Sequence, residues 1–292
     1  MGSLKEIRIR IASIGSTEKI TSAMKLVSAA KLRRAQTAIV NLRPYSRKLN
    51  EILQDLSSSM MSMEDMPLFH HRNPERVVIV VITSNKGLCG GFNSNVIKET
   101  QLLIKERYYE QNRTGRLKLI CIGKKGNEQL SKYFDVIQYN ETLLENSSFS
   151  ELTTIADYLM RGFLKKEFDK VEIVYNQFIN AATQKLVVEP FLPIQPLHVM
   201  EGKQQNHDYI IEPSKKELLN ELIPKILKLQ LYKALIDSIA SEHGARMTSM
   251  AKATDNANEM LKELRLKYNN ARQSAITNEL IEIVSGAEAL DN

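Results

Sequence analysis

Tryptophan is absent from the 292 residues, aromatic side chains make up only 6%, and there are two cysteines. Cys89 and Cys121 cannot build a disulfide framework, and neither sits in a CxxC pair or beside a histidine cluster. Both are expected to be small buried thiols in a reducing compartment. No stretch approaches the roughly 18 uncharged apolar residues of a membrane-spanning helix. The longest apolar run, Val77–Ile82, has the size of a strand. The opening MGSLKEIRIRIAS carries charges where a signal peptide has its apolar region, so the chain is expected to stay where it is made. Five histidines (His70, His71, His198, His207 and His243) show no HExxH or His–carboxylate spacing, and no metal site is expected. No Ser-His-Asp order and no paired carboxylates at a plausible spacing stand out, so no catalytic residue is expected.

What is present is unevenly placed. Residues 1–57 hold 11 Lys/Arg against 4 Asp/Glu, a surplus of +7, although the whole chain carries only +6. An acidic partner for that segment is a fair physical inference. The same segment, a first region over 1–57, has no glycine after Gly15 and no proline except Pro44. Its apolar positions Ile7, Ile11 and Ile14, then Leu32, Ala35, Ile39 and Leu42, then Leu49, Leu53 and Leu56, step by threes and fours as a coiled-coil seam does. Ser3 with Glu6 reads as a capping box, and Pro44 is expected to kink the helix because it lacks the amide donor.

After a Ser- and Met-rich linker the period changes, and 75–210 reads as a second region. Val77–Thr83, Leu117–Ile122, Val171–Phe178 and Leu186–Phe191 are strand-like. Helical stretches lie around Asn95–Glu110 and Ser150–Lys166. Strand alternating with helix predicts an open, largely parallel α/β sheet covered on both faces. The third region, 213–292, opens on a second capping box, Ser214 with Glu217. Its seam runs through Leu222, Ile226, Leu229, Ile236, Met247, Met250, Ala257, Leu261, Leu264, Tyr268 and Ala271. The helix is expected to continue through Pro224 and Gly244, because neither is followed by turn chemistry. Two long terminal helices flanking one domain must run antiparallel if they pair.

Gly87, Gly90 and Gly91 follow a strand, yet neither GxxxxGK[ST] nor GxGxxG is present; a tight strand-to-helix turn is the expected reading. Gly123-Lys124-Lys125-Gly126 after the second strand is equally incomplete, so no nucleotide cofactor and no small-molecule substrate is expected. Lys25, Lys31, Arg33 and Arg34 resemble a zipper protein's basic region. That leaves two alternatives open, a basic coiled-coil nucleic-acid-binding protein and a scaffold. Against the first, the basic residues are interleaved with Met24, Leu26, Val27 and Leu32. There is also no RNP-like pattern. Against the second, a scaffold has no need of an α/β domain.

Three blocks carry a resemblance: the opening LKEIRIRIASIGSTEKITSAMKLVSAAKLRRAQ, the loop SNKGLCGGFNSN (Ser84–Asn95), and the tail from SEHGARMTSMAKATDNANEM to SGAEAL. Together they resemble the gamma subunits of bacterial F-type ATP synthases. The resemblance implies an antiparallel coiled coil plus a Rossmann-like domain, acting as a non-catalytic central-stalk rotor. It implies that the coiled coil turns inside a ring of three catalytic and three non-catalytic ATPase subunits. The domain end would rest on a membrane ring of proton-carrying subunits with a small central-stalk subunit, and no nucleic acid would be bound. It also implies a peripheral protein at the cytoplasmic face of the bacterial plasma membrane. Met24, Arg246, Gln273 and Thr277 lie in matching motifs and are implied to touch the stator subunits. The +7 segment adds Arg33 and Arg34 to that expectation. Tyr209, Glu212 and Pro213 match the segment near the membrane ring and small stalk subunit. Position 85, acidic in many relatives, is Asn85 here, which removes an ion-pair role for it. Small residues over Ala12–Ala30 suit a thin, stiff shaft.

Overall fold

The computed structural model describes residues 4–58, 66–195 and 215–290. Seven α-helices, one short 3-10 helix (Pro67–Phe69) and five strands follow one another among them. They are α1 (Leu4–Ser58), β1 (Val77–Ile82), α2 (Phe92–Arg107), α3 (Tyr109–Arg113), β2 (Leu117–Ile122), α4 (Lys124–Leu130) and β3 (Val136–Asn140). Next come α5 (Leu143–Asn146), α6 (Phe149–Leu164), β4 (Lys170–Phe178), β5 (Gln184–Leu192) and α7 (Lys215–Leu290). Contacts divide the chain into two units, one of residues 29–246 and one made of 1–28 with 247–292.

The 29–246 unit is built on a sheet of order β3-β2-β1-β4-β5. The pairs β1–β2, β1–β4 and β2–β3 are parallel, while β4–β5 is antiparallel. The largely parallel α/β expectation therefore holds, with one antiparallel edge. That edge has a local cause: no helix separates β4 from β5, and Asn180 closes the turn by accepting the amides of Ala182 and Thr183 at 3.0 and 2.8 Å. All six β1 residues are buried, as a run of Val and Ile covered on both faces requires. On one face Val77, Ile79 and Val81 join Leu119 and Cys121 of β2 beneath Val96, Leu103 and Ile104 of α2 and Leu130 of α4. Val78, Val80 and Ile82 point the other way and are equally buried. Buried stripes of α6 and of α7 supply the second layer, and the two helices are joined by the Phe149–Tyr232 ring pair and the Lys228–Asp157 ion pair. Cys89 and Cys121 are both buried thiols, and burial pushes Cys121 up to about 12.

Strand β3 and the short helices α4 and α5 escaped the sequence reading. Strand β3 is a half-buried edge of five residues with Gln138 and Asn140 in it, too short and polar to show a period. Helix α6 starts one residue earlier than expected, capped by Ser148, whose hydroxyl accepts the Glu151 amide at 3.4 Å.

In the other unit α1 and α7 run antiparallel. Arg8 donates to the Tyr268 hydroxyl at 2.8 Å, and Thr254 reaches Thr21 Oγ1 at 2.8 Å. The contact climbs α1 while it descends α7. The less exposed positions of α1, at Ile7, Ile11, Ile14, Glu18, Thr21 and Ser28, form the expected heptad stripe, but its middle is polar. Helix α1 runs through Pro44, and α7 runs through Pro224 and Gly244 without interruption. The Ser3 and Ser214 caps lie outside the described residues.

Candidate functional site

In an open parallel sheet, ligands sit outside the carboxyl ends of the strands, where the order of connections reverses. Here that place lies beyond β1 and β4, and on the other side of β1, beyond β1 and β2, the chain closes on itself. Gly123 takes φ +105°, and a Cβ there would meet the Thr83 carbonyl oxygen at 2.3 Å; one on Gly126 would meet Thr83 Oγ1 at 2.7 Å. The Gly-Lys-Lys-Gly sequence therefore lets β2 close on the end of β1. The first amides of α4, which in a phosphate loop would face the ligand, are all taken. Lys124 N donates to Asn85 Oδ1 at 3.1 Å, Lys125 N to the Ser84 carbonyl at 3.0 Å, and Gly126 N to Thr83 Oγ1 at 2.8 Å. Asn85 uses both ends of its amide, since its Nδ2 donates to the Glu141 carbonyl at 2.9 Å. An aspartate could cap α4 but could not make that second bond.

The β1–α2 loop is equally self-contained. Asn93 Oδ1 accepts the Ser84 amide at 2.9 Å, and the Ser84 hydroxyl lies 2.7 Å from the Lys86 carbonyl. Gly90 sits at φ 60°, which fits the expected tight turn. Over this loop lies Arg246, buried to 7% exposure. Its guanidinium donates to Glu242 Oε1 at 2.6 Å and to the carbonyls of Lys86 at 2.9 Å and Gly87 at 3.2 Å. Burial pushes the Glu242 carboxyl up, and Arg246 beside it pulls it back. His243, expected as a helix-packing histidine, is held down to about 4, first by burial and then by the neighbouring Arg246 charge. One turn lower, Ser241 donates to the Asn176 carbonyl at 3.0 Å, and Asn176 Nδ2 donates to the Phe92 carbonyl at 3.2 Å.

A cleft of about 980 Å³ lies elsewhere in the same unit, between α1, the end of β4 and α7, where Arg43, Arg47, Lys48 and Lys233 surround Asp237. Burial pushes Asp237 up to about 6, against the opposing pull of Lys233 and Arg43 and with a push from Glu189. Among the described residues, no group of three or more His, Cys, Asp or Glu side chains is placed to hold a metal. No helix among them is long and apolar enough to cross a membrane.

The residues expected to touch stator subunits are not gathered into one pocket. Arg33 and Arg34 are exposed on α1, in the same unit as the buried Arg246. Met24 is half-buried in the other unit, where Gln273 and Thr277 are exposed one turn apart and joined by a 2.9 Å bond from Thr277 Oγ1 to the Gln273 carbonyl. Tyr209, Glu212 and Pro213 lie outside the described residues. The internal work of Arg246, Asn85 and Thr83 was not foreseen. Their acceptors are mostly backbone carbonyls far away in sequence, which leave no residue-type signature.

The model of the ATP synthase family matches residues 3–290. The chain is 50% identical to an ATP synthase gamma chain of Cytophaga hutchinsonii over 100% of both chains. It is 53% identical to one of Flavobacterium johnsoniae, again over 100% of both. Among solved structures, a chain of the Euglena gracilis mitochondrial ATP synthase shares the fold, with a TM-score of 0.67 at 21% identity, over 98% of this chain and 94% of that one. A chain from the central stalk and c-ring of the Tetrahymena thermophila mitochondrial ATP synthase gives a TM-score of 0.60 at 24% identity, over 80% and 99%.

Proposed function

The chain belongs to the ATP synthase gamma-chain family, and on that premise we propose that it is the central-stalk rotor of an F-type ATP synthase, coupling proton translocation to ATP synthesis and hydrolysis. It passes rotation between a membrane proton-carrying ring and the catalytic sites and makes no bonds itself. Full-length identity to gamma chains supports this reading over a basic nucleic-acid-binding protein or a scaffold. The observation that carries the non-catalytic role is the occupied crevice beyond β1 and β4: Asn176 donates to the Phe92 carbonyl and accepts from Ser241, and Arg246 covers the β1–α2 loop. A Rossmann-like sheet whose ligand position is filled by its own chain serves as a scaffold for force.

The stator contacts follow the same reading. Arg33 and Arg34 present exposed charge to acidic surfaces of the surrounding subunits, with Met24, Gln273 and Thr277 touching them along the helix pair. Tyr209, Glu212 and Pro213 belong to the end near the membrane ring and the small stalk subunit. Relatives at this identity come from bacteria, which supports a peripheral position at the cytoplasmic face of the plasma membrane.

Two measurements test the proposal. The tagged chain, drawn from gently solubilised membranes, should bring three copies each of two larger ATPase subunits; recovery alone, or with nucleic acid, sinks the reading. The isolated chain should show no melting shift in millimolar Mg-ATP, whereas occupancy at about 100 times Kd would add roughly 2.7 kcal/mol.

A further inference from the structure

Within the 29–246 unit α1 is seated at two points and stands off between them. Leu32 and Ala35 are buried at one end of the span, at 5% and 6% exposure, and Leu49 at the other, at 6%. From Gln36 to Lys48 every side chain is exposed or half-buried. That span is about 20 Å of helix at about 1.5 Å per residue. Beneath it lies the cleft of about 980 Å³, lined by Ile39 and Leu42 from α1 and by Phe178 and Ile236 from the opposite wall. Inside the span sits Pro44, which has no amide to donate to the Val40 carbonyl, and a helix bends most readily at such a point.

Two opposite charges line this cleft without meeting. Asp237 of α7 is only 6% exposed, and Arg43 of α1 is exposed; neither makes a hydrogen bond or an ion pair among the described residues. The other charged or titratable groups around Asp237 are Arg47 and Lys48 on α1, Lys233 one turn back on α7, Glu189 on β5 and Tyr175 on β4. The Tyr175 hydroxyl is spent on Glu189 Oε2 at 2.6 Å. Burial holds the Asp237 carboxyl up at about 6, against the pull of Lys233 and Arg43 and with a push from Glu189. The like charges of Arg43 and Lys233 push the two walls apart, and Asp237 draws them together.

We propose that residues 36–48 form a strap that bends at Pro44 to bring Arg43 onto Asp237 when that carboxylate is ionised, and that lifts away when it is protonated. Contact with the guanidinium holds a carboxyl lower than it stands in the open cleft, so closing releases a proton and rising pH favours it. Closing also covers Ile39 and Leu42 against Phe178 and Ile236. It offsets part of the cost of keeping a charge at Asp237 out of water. In acid the attraction is lost, the repulsion between Arg43 and Lys233 remains, and the cleft opens. The strap is a property of the chain itself and does not depend on the rotor reading.

Hydrogen exchange in the isolated full-length chain tests it. After correction for the intrinsic pH dependence of exchange, the amides of 39–48 should be roughly fivefold better protected at pH 7.5 than at pH 5. That is the step expected if contact with Arg43 lowers the carboxyl by about one pH unit. The amides of 152–163 in α6, none of whose residues lines the cleft, should show no such step. Asp237→Asn keeps the shape and removes the charge, whereas Arg43→Gln removes the partner at an exposed position. Each should abolish the step and leave 39–48 at the weaker protection at both pH values. The absence of a step in the wild-type chain overturns the strap. A step shared by α6 overturns it too, as general loosening in acid, and so does a step that survives either substitution, because the titrating pair then lies elsewhere.

Discussion

Two stretches of α7 share one helix and obey opposite rules. From Ala234 to Glu242 all nine positions are buried, polar ones included. From Arg272 to Gly286 every position is exposed, and these include Ile276, Leu280, Ile281, Ile283 and Val284 at 47–62% exposure. Large aliphatic side chains do not explain the difference, since Leu, Ile and Val fill a third of each stretch. Neighbours explain it. The first stretch lies between the sheet and α1, so its small residues, Ala234, Ser238, Ala240 and Ser241, let strand backbone come close. The second lies beyond the reach of α1: Arg8 already meets Tyr268, and α1 begins only four residues earlier, at Leu4. Between them, Met250, Ala257 and Leu261 bury a single stripe. Surroundings set burial, and one secondary structure serves all three.

The contrast breaks if the two stretches respond alike to truncation. Leu235→Ala, at a fully buried position, should cost about 2–5 kcal/mol in urea unfolding of the isolated chain, whereas Leu280→Ala should stay within about 0.5 kcal/mol. Hydrogen exchange sharpens the same point: amides of 276–284 should exchange quickly in the free chain and slowly in the complex, with 234–242 protected in both. Strong protection of 276–284 in the free chain would mean that something already covers it.

The buried stretch should also carry a pH signature. Asp237 titrates near 6 rather than 3.8 because burial disfavours its charge. The folded state therefore holds the proton more tightly than the unfolded one, and stability falls as pH rises from about 4 through 6. Asp237→Asn should be more stable than wild type above pH 6, by at most about 3 kcal/mol, with the gap closing below pH 4. Thermal melts at pH 4 and pH 7 measure it; a gap of equal size at both would assign the effect to shape rather than charge.

The smallest effect is expected where the stripe turns polar. Thr21 Oγ1 lies 3.0 Å from the Glu18 carbonyl and 2.8 Å from Thr254 Oγ1, which is itself 2.8 Å from the Met250 carbonyl. Either Thr→Val change alone should cost about 1 kcal/mol, and both together little more than one, because no hydroxyl is then left without its partner. Additive losses would show that the two hydroxyls do not act as a pair.

That polar gap also marks how far the sequence could be read. Ile7, Ile11 and Ile14, then Leu32, Ala35, Ile39 and Leu42, announce the seam by period alone, and the structure keeps them on the less exposed side. Thr21 and Ser28 fill the same register but are invisible to a search for apolar residues. In the α/β unit, β1 was legible because double-sided burial demands its unbroken Val and Ile run, and β2 because Lys118 alone interrupts its apolar residues, while β3, half-buried at an edge, carries no such demand. The glycines around 87–91 were legible as a turn, not as what they turn around, and Gly123 and Gly126 only as an incomplete phosphate motif. Thr83, Asn85 and Arg246 acquire their meaning from carbonyls and amides brought close by folding, and a chain written in one dimension does not show which backbone atoms will be neighbours.

The exposed aliphatic end of α7 bears finally on the life of the chain in a cell. Ile276, Leu280, Ile281, Ile283 and Val284 lie within nine residues of one helix, open to water. A molecule made in excess of whatever covers that end offers chaperones and proteases a ready handhold, and other copies of itself a sticking point. Its abundance is therefore capped by the supply of its cover. Balanced synthesis of the parts becomes a condition for keeping this one, enforced by a few side chains that have nowhere else to go.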